Sequence, residues 1–193
     1  MTNYWTLNQG NLAASENIDY ISIAEPELWN SFRQGDEKAF SELYQRFASV
    51  LYNYGYHLNP DAALVQDAMQ DLFSDLWRTR KNLSATTSVK YYLFRSIRRK
   101  LHRLSDIRQL PEDLYPLQTE SAEALKIQIE ESILQQQRLQ KLMSQLPARQ
   151  QEVIRLRFYD NFSWEEISGI LQINEQSVRN LVQRAVVKLR ELW

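Results

Sequence analysis

Five side chains close to the C-terminus have the types and the spacing that recognition of base pairs requires. They are Gln176, Arg179, Asn180, Gln183 and Arg184. Separations of three and four residues place them on one face of a helix. Arg can donate two hydrogen bonds to guanine, and Asn or Gln can make two with adenine. Ser177 and Glu175 lie beside this face and can contact phosphate or cytosine. The face is therefore suited to reading the major groove, although two helices that merely pack together would show a similar pattern.

The segment that carries this face, SWEEISGILQINEQSVRNL, predicts two short helices with a tight break between them. Ser163 is a suitable N-cap, and Glu166 three residues later completes a capping box. Asn174 can cap the second helix. The opposite side of that helix is apolar at Val178, Leu181, Val182, Ala185, Val186 and Leu189. The pattern is typical of a helix-turn-helix, although its turn lacks the glycine that such turns often contain.

A second surface with nucleic-acid chemistry lies on the helix predicted for residues 89–104. One side of this helix is apolar, and the other carries cations interleaved with aromatic rings: Tyr91, Tyr92, Arg95, Arg98, Arg99, His102 and Arg103. Cations can hold phosphate while aromatic rings stack on unpaired bases. The pattern indicates a surface for single-stranded or opening DNA, and the alternative is a solvated basic face.

The preceding helix, which runs to about Arg80, shows two adjacent strips. The first is an ordinary core stripe at Val65, Met69, Leu72 and Leu76. The second is mixed, with Asp67 and Asp71 flanking Gln66, Gln70, Phe73 and Trp77. A helix that is apolar over more than its core requires can bury the excess against a partner, and the alternative is a wide core face in a small domain.

The charge of the chain is distributed unevenly. The net charge of −1 combines a value of −8 over residues 1–77 with +9 over residues 78–108. Residues 109–148 carry −3 and residues 149–193 carry +1. Because the basic residues are concentrated in one segment, a nucleic-acid partner is compatible with an acidic sequence pI near 6.2.

Composition excludes several other classes of function. The chain has no cysteine and two histidines, so we expect no disulfide, no metal site and no cofactor. No P-loop and no Ser/His/Asp constellation is present, so we expect neither an enzyme nor a small-molecule substrate. Neither a membrane span nor a signal peptide is evident, which predicts a cytoplasmic protein without membrane insertion.

Helical periodicity throughout most of the chain predicts an all-α fold with two small domains. Residues 1–24 form an N-terminal arm without clear period, and residues 25–105 form a helical bundle. Residues 106–120 contain two prolines and several acids, which indicates an acidic linker. Residues 121–193 contain a long polar helix followed by the helix-turn-helix.

Five motifs in this order resemble the extracytoplasmic-function (ECF) class of bacterial RNA polymerase sigma factors. They are GDEKAFSELYQRF, DAMQDLFSDLW, YYLFRSIRRKL, LPARQQEVIRLRFYDNFSWEEISGIL and INEQSVRNLVQRAVVKLRE. The resemblance implies a region 2 bundle and a region 4 helix-turn-helix domain. It also implies a protein that binds core RNA polymerase, reads the −10 and −35 promoter elements and is held inactive by an anti-sigma factor.

The resemblance also implies roles for individual residues. The β′ clamp helices of core polymerase would be bound by Gln66, Asp67, Gln70, Asp71, Phe73 and Trp77. The −10 element would be bound and opened by Asn82, Ser84, Tyr91, Tyr92, Arg95, Arg98, Arg99 and Arg103. The −35 element would be read by Gln176, Ser177, Arg179, Asn180, Gln183 and Arg184. In addition, the helix-turn-helix domain would dock on the β flap.

The chain departs from the family pattern in three places. Arg99 stands where an Asn connected with duplex opening is usual, and the N-terminal arm is longer than usual. Gly169 replaces a small Ala, which costs about 1 kcal/mol of helix propensity.

Two alternative functions are a stand-alone helix-turn-helix regulator and a sigma-like decoy that binds an anti-sigma factor without opening DNA.

Overall fold

The computed structural model describes residues 20, 22–108 and 138–193, and every regular element in these ranges is helical. The first range contains α1 (Glu25–Arg33), α2 (Glu37–Leu58), α3 (Ala62–Thr79), a short 3-10 turn (Arg80–Asn82) and α4 (Val89–Arg108). The second contains the described part of α5 (138–144), α6 (Ala148–Ile154), a π-helical turn (Arg155–Tyr159), α7 (Trp164–Leu171) and α8 (Glu175–Leu192). The all-α prediction with two helical domains is confirmed.

Local side-chain chemistry determines where the N-terminal helices begin and end. Asp36 caps α2 by accepting hydrogen bonds from the backbone nitrogens of Lys38 and Ala39, and Asp61 caps α3 in the same way. Gly35 ends the α1 segment with φ of 101°, a left-handed conformation that favours glycine. The short separation between α1 and α2 therefore follows from the Gly35–Asp36 pair.

The helices α1 to α4 surround an apolar interior rich in aromatic rings. Trp29, Phe32, Tyr54 and Phe94 are among its largest fully buried side chains. The core stripe predicted on α3 is buried at Val65, Met69, Leu72 and Leu76. These helices therefore form one bundle, with α4 packed against both α2 and α3.

The helix-turn-helix has the caps that its sequence predicts. Ser163 and Glu166 form the capping box of α7, and the Asn174 side chain accepts a hydrogen bond of 2.8 Å from the backbone nitrogen of Ser177. In the turn, Gln172 takes the left-handed conformation that a glycine would otherwise occupy, with φ of 58°. A helix-turn-helix is thus formed without a glycine in its turn.

Two segments differ in extent from the sequence prediction. Helix α4 continues to Arg108, three residues into the stretch interpreted as a linker, because no helix-breaking residue precedes Pro111. The rest of that linker and most of the predicted long polar helix lie outside the described residues, as do residues 1–19 and 21. The end of the predicted arm contacts α2, since Arg46 donates hydrogen bonds to the backbone oxygens of Tyr20 and Ile23.

The two helical domains are in direct contact. Helix α7 packs against α4, and α6 packs against α2. The buried apolar residues form one cluster that extends from α1 through α4 into α6, α7 and α8. One side of α4 therefore belongs to the interface between the domains.

Candidate nucleic-acid interfaces

The outer face of α8 carries the side chains that the sequence assigns to base-pair recognition. Val178, Val182 and Ala185 are buried on the inner side of this helix. The outer side exposes Gln176, Arg179, Asn180, Gln183 and Arg184, and Ser177 beside them is half-buried. A shallow depression lined partly by Asn180, Gln183 and Arg184 runs along this face. The outer face of α8 is therefore accessible to a ligand.

Contacts within the helix-turn-helix hold Arg179 in place. Its guanidinium lies 4.8 Å from the centroid of the Trp164 ring and 3.5 Å from the Glu175 carboxylate. The same indole ring is 4.5 Å from the guanidinium of Arg157. Cation–π contacts of this kind orient an arginine before it binds a partner. Periodicity did not identify Trp164, because an aromatic residue at the start of a helix is equally typical of simple packing.

Part of the basic surface predicted on α4 borders a cleft between α3 and α4. The cleft is lined by Tyr92, Arg99, Lys100 and Arg103, together with Asp75 of α3. Lys100 donates to Asp75 at 2.5 Å, and this hydrogen bond holds the pKa of the Asp75 carboxyl below its usual value. Arg99 is exposed at the rim. The cleft is therefore a cationic surface with one neutralising carboxylate.

Two of the other predicted α4 residues, Arg98 and Tyr91, contact the C-terminal domain. Arg98 donates to Glu152 of α6 through Nε at 2.8 Å and Nη2 at 3.4 Å. Tyr91 packs against Gly169 of α7, and Arg95 lies next to the Tyr91 hydroxyl at 3.4 Å. The α4 residues predicted to bind the −10 element are thus divided between the open cleft and the contact with the C-terminal domain.

The loop 82–88 between α3 and α4 is anchored to α1. The indole nitrogen of Trp29 donates a 3.0 Å hydrogen bond to the backbone oxygen of Ser84. The Trp29 ring also lies 5.2 Å from that of Tyr92. The side chains of Asn82 and Ser84 are exposed. The bundle core therefore holds the backbone of a loop whose side chains are available to a ligand.

The mixed strip on α3 is partly surface and partly core. Gln66, Asp67, Gln70 and Asp71 are exposed, and Trp77 is half-buried with the Arg80 guanidinium 4.1 Å from its ring centroid. Phe73 is buried beneath an edge-on contact with Tyr44, whose ring centroid is 4.8 Å away. Phe73 therefore supports the strip from below, and the polar residues with Trp77 form its surface.

The described ranges contain neither a candidate metal site nor a helix suited to a membrane. Among the residues with a described position, no group of three or more His, Cys, Asp or Glu side chains could hold a metal ion. None of the helices in the same ranges is long and apolar enough to cross a membrane.

Comparison with protein families gives two matches on this chain. Residues 43–108 match Sigma-70 region 2, and residues 136–189 match Sigma-70 region 4. The chain is also similar to the ECF RNA polymerase sigma factor RpoE of Cereibacter sphaeroides. The two are 24% identical over 162 residues, which is 81% of this chain and 87% of that protein.

Solved structures with a similar fold include two protein–protein complexes. One is CnrH in complex with the cytosolic domain of CnrY, with TM-score 0.59, 20% identity and coverage of 86% of this chain and 95% of that one. Another is the sigma factor RpoE in complex with the anti-sigma factor NepR from Bartonella quintana. Its TM-score is 0.62 at 20% identity, and the match covers 80% of this chain and 96% of that one.

Proposed function

The chain belongs to the ECF class of RNA polymerase sigma factors, which direct promoter-specific initiation of transcription, and we propose that its three surfaces bind polymerase and both promoter elements. The observation that carries this proposal is the coincidence of two sequence matches with two structural units. Region 2 coincides with the bundle that bears the basic α4, and region 4 with the domain that bears the exposed face of α8.

We assign the −35 element to α8. Arg179, Asn180 and Gln183 point away from the apolar side of this helix and lie near its N-terminal half, the part that enters the major groove in helix-turn-helix docking. The contact with Trp164 supports this role, because an oriented guanidinium loses less side-chain entropy on binding.

We assign the −10 element to the loop 82–88 and the exposed part of α4. The exposed loop residues can receive an unstacked base, and the cations of the α3–α4 cleft can hold the phosphates of an opened strand. Arg99 lies on the rim of this cleft, so a cation at the usual Asn position adds phosphate affinity there.

We assign core polymerase to the mixed strip on α3, where polar side chains surround the exposed edge of Trp77. The exposed acids of this strip suit a basic partner surface. The C-terminal domain would dock on the β flap. The polymerase itself would carry out polymerisation, because sigma factors act as initiation factors. An anti-sigma protein as a further partner is supported by the similar fold of the sigma factor RpoE in its complex with the anti-sigma factor NepR.

The proposal is tested by run-off transcription with bacterial core polymerase on fragmented genomic DNA. Adding the chain should create start sites that core polymerase alone does not produce. Asp71→Lys on the polymerase strip should abolish them, whereas the matched charge reversal Glu27→Lys on the exposed side of α1 should not. If no new start sites appear while a housekeeping sigma factor works with the same core polymerase, the proposal is wrong.

The same samples distinguish the two alternative functions. A stand-alone regulator would bind specific duplex DNA tightly in the absence of polymerase. A decoy would bind an anti-sigma factor but would produce no start sites of its own with core polymerase.

A further inference from the structure

The first two turns of α8 carry a hydrogen-bonded pair of amide side chains. Gln176 and Asn180 are four residues apart, and Nε2 of Gln176 donates a 3.0 Å hydrogen bond to Oδ1 of Asn180. Both side chains are exposed on the outer face of the helix. Residues four apart on a helix are neighbours, and polar pairs at this spacing support each other. Two residues that periodicity treats as separate readers of DNA are therefore joined into one unit, the amide pair.

The hydrogen bond determines what the amide pair can offer to a ligand. An amide side chain has a carbonyl oxygen that accepts and an NH2 group that donates. The atoms outside the bond are Oε1 of Gln176 and Nδ2 of Asn180, and no other hydrogen bond from a described residue engages them. The amide pair therefore presents one acceptor and one donor. Turning both amides over exchanges the two roles and leaves the same combination.

One acceptor and one donor together complement a single base in the major groove. Adenine alone carries both an acceptor, N7, and a donor, the N6 amino group, on its own edge. Guanine presents two acceptors, cytosine one donor, and thymine one acceptor beside a methyl group. Two donors, as in arginine, suit guanine. The amide pair therefore has the pattern that adenine requires.

The position of the amide pair allows a base edge to reach it. Gln176 and Asn180 lie in the first half of α8, the part that enters the major groove in helix-turn-helix docking. Val178 and Val182 are buried on the opposite side and fix the helix to its domain. Two bonded amides also lose less side-chain entropy on binding than two unrestrained ones. Because other residues hold α8 in place, the amides can be changed without removing a core contact.

A second pair beside the amide pair has a different chemistry. The Glu175 carboxylate lies 3.5 Å from the Arg179 guanidinium, which is also 4.8 Å from the centroid of the Trp164 ring. A guanidinium has five N–H donors, so donors remain for guanine after Arg179 pairs with Glu175. The two neighbouring pairs on α8 thus offer different hydrogen-bonding patterns, and each can select its own base.

From these observations we propose that Gln176 and Asn180 act together as one specificity determinant, which binds a single adenine of the −35 element. Oε1 of Gln176 accepts from the N6 amino group, and Nδ2 of Asn180 donates to N7. The proposal deepens the −35 role proposed for α8 and rests on it. Two independent amides would each favour a base of their own, whereas the amide pair favours adenine at one shared position.

Selection from a library of randomised duplexes tests the shared position. The full chain is used alone and bound to core polymerase, and the recovered DNA is sequenced. The natural chain should enrich a motif with an adenine that is preferred about 5- to 150-fold, as expected for a contact with two hydrogen bonds. Gln176→Ala and Asn180→Ala should both weaken the preference at that same position. Gln145→Ala, which removes an exposed amide outside α8, should leave the motif unchanged.

Analogues of the enriched adenine test the two hydrogen bonds separately. Purine lacks the N6 amino group and 7-deazaadenine lacks the N7 acceptor, whereas 2,6-diaminopurine keeps both and differs in the minor groove. Each of the first two should weaken binding of the natural chain about threefold or more, and the third should not. Gln176→Ala should no longer respond to purine but still respond to 7-deazaadenine, and Asn180→Ala should show the reverse.

The outcomes separate this inference from the proposed function. If Gln176→Ala and Asn180→Ala act at different positions or not at all, or if either variant stays sensitive to both analogues, the amide pair is overturned and the −35 role of α8 stands. Enrichment of a G·C pair at the shared position would also overturn it, since guanine O6 and cytosine N4 form an alternative acceptor and donor. No enriched motif in any sample would overturn the −35 role of α8 and this inference together.

Discussion

Replacing Trp29 by phenylalanine should loosen the loop 82–88 in addition to weakening the bundle core. Trp29 is 1% exposed, and its indole nitrogen holds the Ser84 backbone oxygen at 3.0 Å. Phenylalanine keeps most of the apolar contacts but cannot donate this hydrogen bond. The substitution therefore separates the anchoring of the loop from the filling of the core.

The expected loss of stability is about 2 kcal/mol. The missing hydrogen bond contributes about 1 kcal/mol, because water can replace the indole at the exposed Ser84. Phenylalanine is smaller than tryptophan by roughly 40 Å³, and a cavity of that size costs about 1 kcal/mol at about 24 cal/mol per Å³.

Urea unfolding followed by circular dichroism measures this loss, and hydrogen exchange of the backbone amides of residues 82–88 measures the loop. Phe32→Leu is the matched control, since Phe32 is fully buried beside Trp29 but makes no hydrogen bond to the loop. Both variants should lose stability, and only Trp29→Phe should accelerate exchange in the loop. Equal exchange in the two variants would refute the anchoring role of Trp29.

Four further predictions concern the helix-turn-helix and the α3–α4 cleft. Arg179→Ala or Asn180→Ala should relax −35 sequence preference by about 1–3 kcal/mol per lost bidentate contact. This preference is measured by competition among base-substituted duplexes that bind the complex of the chain with polymerase. An unchanged preference would mean that another face of α8 reads DNA. Trp164→Ala should relax −35 sequence preference by part of the amount seen for Arg179→Ala, whereas Trp164→Tyr should retain that preference. Ser163→Ala should cost about 1 kcal/mol of stability, measured in thermal melts, because the α7 cap is lost. Asp75→Asn should lower stability slightly at neutral pH. Because the hydrogen bond from α4 depresses the pKa of Asp75, its contribution is present above the ordinary value of 3.8 and is lost as pH falls below it, so the difference from the natural chain should vanish in acid. A difference that persists at low pH would contradict the ion pair.

Features that depend on neighbours along the chain could be predicted from the sequence. Asp36, Asp61, Ser163 and Asn174 cap helices as their side chains predict, because a cap involves only the next three residues. The outer face of α8 follows from helical periodicity in the same way.

Features that depend on distant residues could not be predicted. Arg98 and Glu152 are 54 positions apart, and Tyr54 is 98 positions from Glu152. Periodicity assigned Arg98 to an exposed basic face, since a helix considered alone does not reveal which cations another domain will bury. Phe73 illustrates the same limit. Periodicity placed it on the mixed strip of α3, but its burial depends on Tyr44 of another helix. The π-helical turn at Arg155–Tyr159 has no local sequence signature that we identified.

The apolar cluster shared by the two domains has a consequence for cooperativity. Phe94 and Phe162 belong to the same buried cluster, so neither domain can unfold without exposing part of the other. Heat or urea should therefore melt the free chain in one transition. Once the domains separate, that coupling is lost, and the melting of the chain should divide into two transitions, each with the smaller enthalpy of a single small domain.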